Sequence, residues 1–107
     1  MNYQIKLTRS ATKDLQGIYD YYLAQQDERL AAQILDEIRQ AILSLNAFPE
    51  RGAVPREMQE TGNRRYRQLH QVPFRIIYRF AEQTVFVVMI VDERRDLRSA
   101  LLRRQLI

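Results

Sequence analysis

The sequence predicts an α+β fold: an N-terminal strand, a helical hairpin, then three antiparallel strands forming one twisted sheet, with a short C-terminal helical tail. Three observations predict it. Apolar residues recur at helical spacing through two adjoining segments of the first half. Alternation of apolar and polar residues marks strands at Tyr3 to Leu7 and, with Ile77 as the one exception, at Phe74 to Phe80. The run Val85-Phe86-Val87-Val88-Met89-Ile90-Val91 is apolar on both faces, as a central strand is. The chain has 107 residues, 46% of them hydrophobic and 28% charged. That makes one globular domain spanning 1–107.

Each element has its own signal. Tyr3, Ile5 and Leu7 alternate with Asn2, Gln4 and Lys6, which gives a half-buried strand. Thr8 or Ser10 then caps a helix in which Ala11, Leu15, Ile18 and Tyr22 form one apolar face, to about Ala24. Asp27 is a second cap, after which Ala31, Ile34, Leu35, Ile38, Ala41, Ile42 and Leu45 continue a stripe to about Asn46. So short a connection folds the two helices back as an antiparallel pair. Phe48-Pro49-Glu50-Arg51-Gly52 ends the helical region, since proline and the residue before it resist the α conformation. The loop that follows, to about Asn63, is the longest irregular stretch. Strands are expected at Arg65 to His70, Phe74 to Phe80 and Thr84 to Val91, joined by hairpins at Gln71-Val72-Pro73 and Ala81-Glu82-Gln83. Asp96 to Gln105 reads as a short helix with Leu97, Leu101 and Leu102 inward. The expected sheet is mainly antiparallel, with the helix pair on one face and the other face partly open.

Charge is divided unevenly along this framework. The segment from Arg64 to Ile107 carries ten Arg against four acids, a balance of +6, whereas the segment from Met1 to Asn63 balances at −2. The whole chain has 15 Arg and only two Lys. A guanidinium makes planar two-pronged hydrogen bonds to phosphate or carboxylate that an ammonium does not. The second half therefore points one surface toward nucleic acid, a ribosome or an acidic protein. Strand alternation sends Phe74, Ile76, Tyr78 and Phe80 under the helices and leaves Arg75 and Arg79 on the open face. Arg67 joins them or faces away according to a hairpin register that a one-residue slip reverses. Arg94, Arg95, Arg98, Arg103 and Arg104 crowd the C-terminal stretch, either paired within a helix, as Asp96 with Arg95 or Arg98, or as an exposed basic edge.

Several functional classes are excluded or weakened. The chain has no cysteine and one histidine, which leaves no thiolate or histidine-based metal site and no disulfide framework. The three glycines, at 17, 52 and 62, form no phosphate loop or dinucleotide fingerprint, so no cofactor is expected. His70 is read as a turn residue with only Glu60 among the acids within ten positions, which does not make a triad. Asp14, Asp20, Asp36 and Glu37 are read as solubilising charge on outer helical faces. Tyr19, Tyr21 and Tyr22 suggest base stacking, although Tyr22 and Tyr19 fit the core or an interface more simply. No apolar leader opens the sequence and no stretch approaches the ~18 apolar residues of a membrane span. A cytoplasmic location and no membrane partner are therefore expected.

The chain resembles the ParE/RelE superfamily of bacterial toxins, and its ParE-like branch more closely. Ala11, Asp14-Leu15, Ile18-Tyr19 and Tyr22 carry the likeness in the first helix, followed by Leu45, Phe48-Pro49 and Arg51-Gly52. Tyr66-Arg67-Gln68-Leu69, Phe74-Arg75-Ile76-Ile77-Tyr78-Arg79 and Arg94-Arg95-Asp96 complete it across nearly the whole chain. The resemblance implies a RelE/ParE-like fold and the toxin of a type II toxin-antitoxin pair, with a cognate antitoxin that wraps it. ParE-like members poison DNA gyrase; RelE-like members cut messenger RNA on the ribosome. In the nucleases, arginines in the positions of Arg75 and Arg94 stabilise the scissile phosphate, and a tyrosine or histidine of the tail does acid-base work. From Asp92 to Ile107 there is no tyrosine, histidine or lysine, and arginine is a poor proton donor. The balance thus falls toward gyrase, with Arg67, Arg75, Arg79, Arg94, Arg95 and Arg98 as the target-binding set. Leu15, Tyr19, Tyr22 and Leu30 are the expected antitoxin contacts. The alternatives are a ribosome-dependent endoribonuclease using Arg75 and Arg94, and a non-toxic binding module.

Overall fold

A computed structural model describes residues 2–107. The elements follow the order β1 (Gln4–Leu7), α1 (Arg9–Ala24), α2 (Glu28–Leu43), α3 (Arg56–Gln59), β2 (Arg67–Gln71), β3 (Phe74–Ala81), β4 (Thr84–Asp92) and α4 (Leu97–Arg103). Of the two possible caps for α1, Thr8 is the one used: its hydroxyl accepts from Ala11 N at 3.1 Å. Asp27 caps α2 in the same way, accepting from Leu30 N at 2.9 Å. The second helix closes in a 3-10 turn over Ser44–Asn46, which buries Leu45.

The sheet is mixed, in the order β1-β4-β3-β2. The three later strands are antiparallel as expected, while β1 runs parallel to β4 with Ile5 opposite Val85 and Leu7 opposite Val87. The helical hairpin lies on one face, where Ala11, Leu15, Ile38, Ile42 and Leu45 pack on Phe74, Ile76, Tyr78, Val85, Val87 and Ile90. This is the face that alternation assigned to Phe74, Ile76, Tyr78 and Phe80.

The other face is not open. Leu97, Ala100 and Leu101 of α4, with Met58 of α3 and Tyr66, cover Ile77, Val88, Met89 and Val91 in a second apolar layer. A β-bulge supplies the extra residue: register passes from Ile77 opposite Met89 to Tyr78 opposite Val87, which leaves Val88 without a partner in β3. Alternation along β4 therefore breaks at Val88, and the strand supplies both cores.

The long loop is also more ordered than its composition suggests. It contains α3, and Ala53 bridges Gln68 at the sheet edge. Buried Tyr78 pins its start: the Tyr78 hydroxyl donates to Pro49 O at 2.7 Å and accepts from Gly52 N at 2.9 Å. Gly52 sits so close to β2 that a Cβ would lie 2.3 Å from Gln68 O, which explains the glycine.

Candidate functional site

The pairing of β1 with β4 ends where Thr8 N donates to Val87 O at 3.0 Å, and α1 then turns away. β4 continues to Asp92, so from Val88 onward this edge has no neighbouring strand among the described residues. Two side chains take the missing strand's place. Asp14 of α1 accepts from Ile90 N at 2.9 Å, and Arg104, just past α4, donates to Val88 O at 3.1 Å. Asp14 and Arg104 are also ion-paired to each other, with side chains 14% and 27% exposed. Asp14 is thus no solubilising charge on an outer face, as the sequence suggested. Its carboxylate satisfies a backbone donor that water would otherwise have to reach.

Above this edge lies a groove of about 1070 Å³ between α1, β4 and α4. Phe74, Met89, Ile90 and Val91 line it, and Tyr21 and Tyr22 stand at its wall with their rings edge to face at 5.1 Å. Its charged lining is Lys13, Arg94, Arg95, Arg103 and Arg104 against Asp14 and Asp92. Both acids are already used, Asp14 by Arg104 and Asp92 by Arg94. Asp92 accepts from Arg94 at 2.8 and 3.0 Å. This contact lowers the Asp92 carboxyl to about pKa 2 and raises that of the guanidinium. Among the described residues, Lys13, Arg95 and Arg103 are left with no acidic partner in an ion pair.

A smaller cluster occupies the other side of the sheet. Arg75 donates to both carboxylate oxygens of Glu57 at 3.0 Å and to Gln68 Oε1 at 2.7 Å. Hydrogen bonding from Arg75 holds the Glu57 carboxyl below its usual value, against the opposing effect of burial. His70 stands opposite Arg75 in the ladder, within β2 rather than in a turn, and its Nε2 is 3.7 Å from Glu93. The acid that local spacing did not offer arrives from just beyond the end of β4.

The predicted arginines are therefore not one surface. Arg75 and Arg79 share a face, but Arg75 is only 12% exposed in its pair with Glu57. Arg79 lies over the Phe86 ring at 4.5 Å. Arg67 points to the opposite face, where it donates to Gly52 O at 2.8 Å and Glu50 O at 3.2 Å. The register places it opposite Tyr78, on the hairpin side. Arg98 pairs with Glu60 across the chain instead of with Asp96, which caps α4 through Ser99. Arg94 and Arg95 are exposed at the groove. Of the expected antitoxin contacts, Leu15 is a core residue under the hairpin, Tyr19 and Tyr22 are half-buried, and Leu30 is exposed. Sequence reasoning missed Asp14, Glu57, Lys13 and the groove. For the acids, the excess of negative charge in the first half was a signal, since Asp14, Glu57 and Glu60 each neutralise an arginine of the second half.

A mixed four-stranded sheet with a helical hairpin on one face and a short C-terminal helix on the other defines the RelE/ParE-like class of folds. Residues 5–97 match the family described as "ParE toxin of type II toxin-antitoxin system, parDE", and the chain belongs to that family. Among solved structures it is similar to a chain of the chromosomal ParDE toxin-antitoxin system from P. aeruginosa, with TM-score 0.68 and 23% identity, covering 84% of this chain and 95% of that one. It is also similar to a chain of the toxin-antitoxin complex RelBE2 from Mycobacterium tuberculosis, with TM-score 0.58 and 19% identity, covering 86% and 99%. No curated protein sequence matches.

Proposed function

We propose that this type II toxin acts by poisoning DNA gyrase and is neutralised by a cognate antitoxin. The observation that carries the gyrase reading is the state of Arg75. In the nuclease reading this arginine stabilises a phosphate, yet here both carboxylate oxygens of Glu57 occupy its guanidinium. Arg94, the second arginine of that reading, folds back on Asp92, and no tyrosine, histidine or lysine follows it. Such a surface is suited to docking rather than to proton transfer. The target-binding set that fits this geometry is Arg79, Arg94 and Arg95, with Arg67, Arg75 and Arg98 serving contacts within the chain. This action takes place in the cytoplasm, where gyrase works on the chromosome; among the described residues no helix is long and apolar enough to cross a membrane. Purified protein should make gyrase accumulate cleaved DNA, and unchanged supercoiling and cleavage at large molar excess would refute the reading.

One observation favours the second reading, a ribosome-dependent endoribonuclease. His70 is the proton-transfer group nearest Arg75 in the ladder, and Glu93 is placed to orient it. That reading predicts cut messenger RNA on translating ribosomes, lost in both His70→Ala and Arg75→Ala.

A further inference from the structure

We propose that Lys6, Phe86 and Arg79, side by side on the α4 side of the sheet, form a ledge that grips the phosphodiester backbone of the DNA on which gyrase acts. This inference rests on the gyrase reading above and adds a DNA contact made by the toxin itself.

The row follows from register. Lys6 of β1 lies opposite Phe86 of β4, and Phe86 lies opposite Arg79 of β3, so alternation puts all three side chains on one face. The layer that α4 builds over this face thins out here: Phe86 and Arg79 are half-buried and Lys6 is exposed. The Arg79 guanidinium rests over the Phe86 ring at 4.5 Å, which fixes its position and leaves its N–H donors for a ligand. A planar fork held in this way matches the two free oxygens of a phosphodiester. The Lys6 and Arg79 backbones are two strand spacings apart, roughly 10 Å, so their long side chains reach different phosphates of one strand. Charge supports the same partner. β1 and β3 contain no acid, and the only acid of β4, Asp92, stands at its far end and is paired with Arg94. Among the described residues, neither Lys6 nor Arg79 enters an ion pair. The adjoining row, Gln4, Thr84 and Ala81, is uncharged; it offers hydrogen-bond donors to sugar and phosphate but no apolar anchor for a folded protein partner.

Two measurements test this. Anisotropy of a short fluorescein-labelled DNA duplex is followed over a range of salt for the wild type, the row variant Lys6→Ala/Arg79→Ala and the control Arg29→Ala/Arg39→Ala, which removes the same charge from exposed positions of α2. We expect the row variant to bind at least about tenfold more weakly, with a slope of log K against log salt shallower by about 1.8, and the control to change by less than about threefold. Phe86→Leu alters no charge, yet it should weaken binding by about threefold or more because Arg79 loses its platform. Arg79→Lys keeps the charge without the planar fork and gives the same readout if Phe86→Leu does not fold. Equal losses in the row variant and the control, full affinity in Arg79→Lys, displacement of the duplex by poly-L-glutamate at equal charge, or tighter binding of the same sequence as RNA overturns the proposal. The second measurement is gyrase-mediated cleavage of supercoiled plasmid. A wild-type protein that poisons gyrase, with a row variant that needs at least about tenfold more protein for the same cleavage, supports the site. Equal potency of the two refutes the site while the gyrase reading stands. Duplex binding through the row with gyrase unaffected refutes the gyrase reading and leaves the ledge as a DNA contact.

Discussion

Glu57→Gln removes the charge that holds Arg75 while keeping the volume of the side chain. The pair is bidentate, with both contacts at 3.0 Å and side chains 12% and 22% exposed. Charge-assisted hydrogen bonds of this kind are worth about 1.5–3 kcal/mol, against roughly 0–1 kcal/mol for a solvent-screened surface pair. Glutamine retains one acceptor, so the expected loss is about 2 kcal/mol at pH 7. For a domain of this size that lowers Tm by roughly 8–16 °C. The Glu57 carboxyl is depressed below 4.5 in the folded state, first by hydrogen bonding from Arg75. Its contribution is therefore fully present above pH 4.5 and disappears as pH falls through the lowered folded value, where protonated Glu57 resembles glutamine. Urea denaturation of both proteins at pH 7 and at pH 3 should show a difference that shrinks with acid. A loss below about 0.5 kcal/mol at pH 7, the scale of a surface pair, or a difference of the same size at both pH values, would refute the reasoning.

Four further outcomes follow from the packing. Tyr78→Phe should cost about 1–3 kcal/mol, because Gly52 N and Pro49 O lose a buried partner. Gly52→Ala should be at least as damaging because of the contact with Gln68 O, and chemical denaturation checks both. Asp14→Ala should speed amide exchange at Ile90 by at least about tenfold relative to Ile76, since the carboxylate is what closes that part of the edge; unchanged protection would mean that water or another group serves equally well. Leu101→Ala should cost about 2–5 kcal/mol, as for any fully buried leucine, and a loss below about 1 kcal/mol would show that α4 is a loose tail rather than a wall of the second core.

Local periodicity made most of the architecture legible. The cap at Asp27, the choice of Thr8 or Ser10 as the first cap, the inward stripes of α1 and α2, and the face of Phe74, Ile76, Tyr78 and Phe80 follow from residue types and spacings that depend on nearby residues alone. The parallel partner of β1 was not legible, because the choice of neighbour for a strand so far from β4 in sequence is made by packing of the whole hairpin. The Val88 bulge was hidden within a run apolar on both faces, which tolerates either register. The face beyond the hairpin reads as partly open, although the same run is apolar on both sides, and α4 with Met58 covers it. The site was less legible than the fold. Arginines that read as one cationic docking face are divided by contacts between distant segments: Arg75 with Glu57, Arg98 with Glu60, Arg104 with Asp14 and Arg67 with the backbone of Gly52. The charge split along the chain is thus in part an internal complement, and its unneutralised remainder includes the rim of the groove.

The most direct test is a DNA cleavage assay with purified gyrase, supercoiled plasmid and ATP, run beside translating ribosomes with the same protein preparation. A gyrase-poisoning toxin gives accumulation of linear DNA on the gyrase side, its suppression by the adjacent reading frame's product, and intact messenger RNA on the ribosome side. Cleaved messenger RNA with gyrase unaffected would contradict that claim.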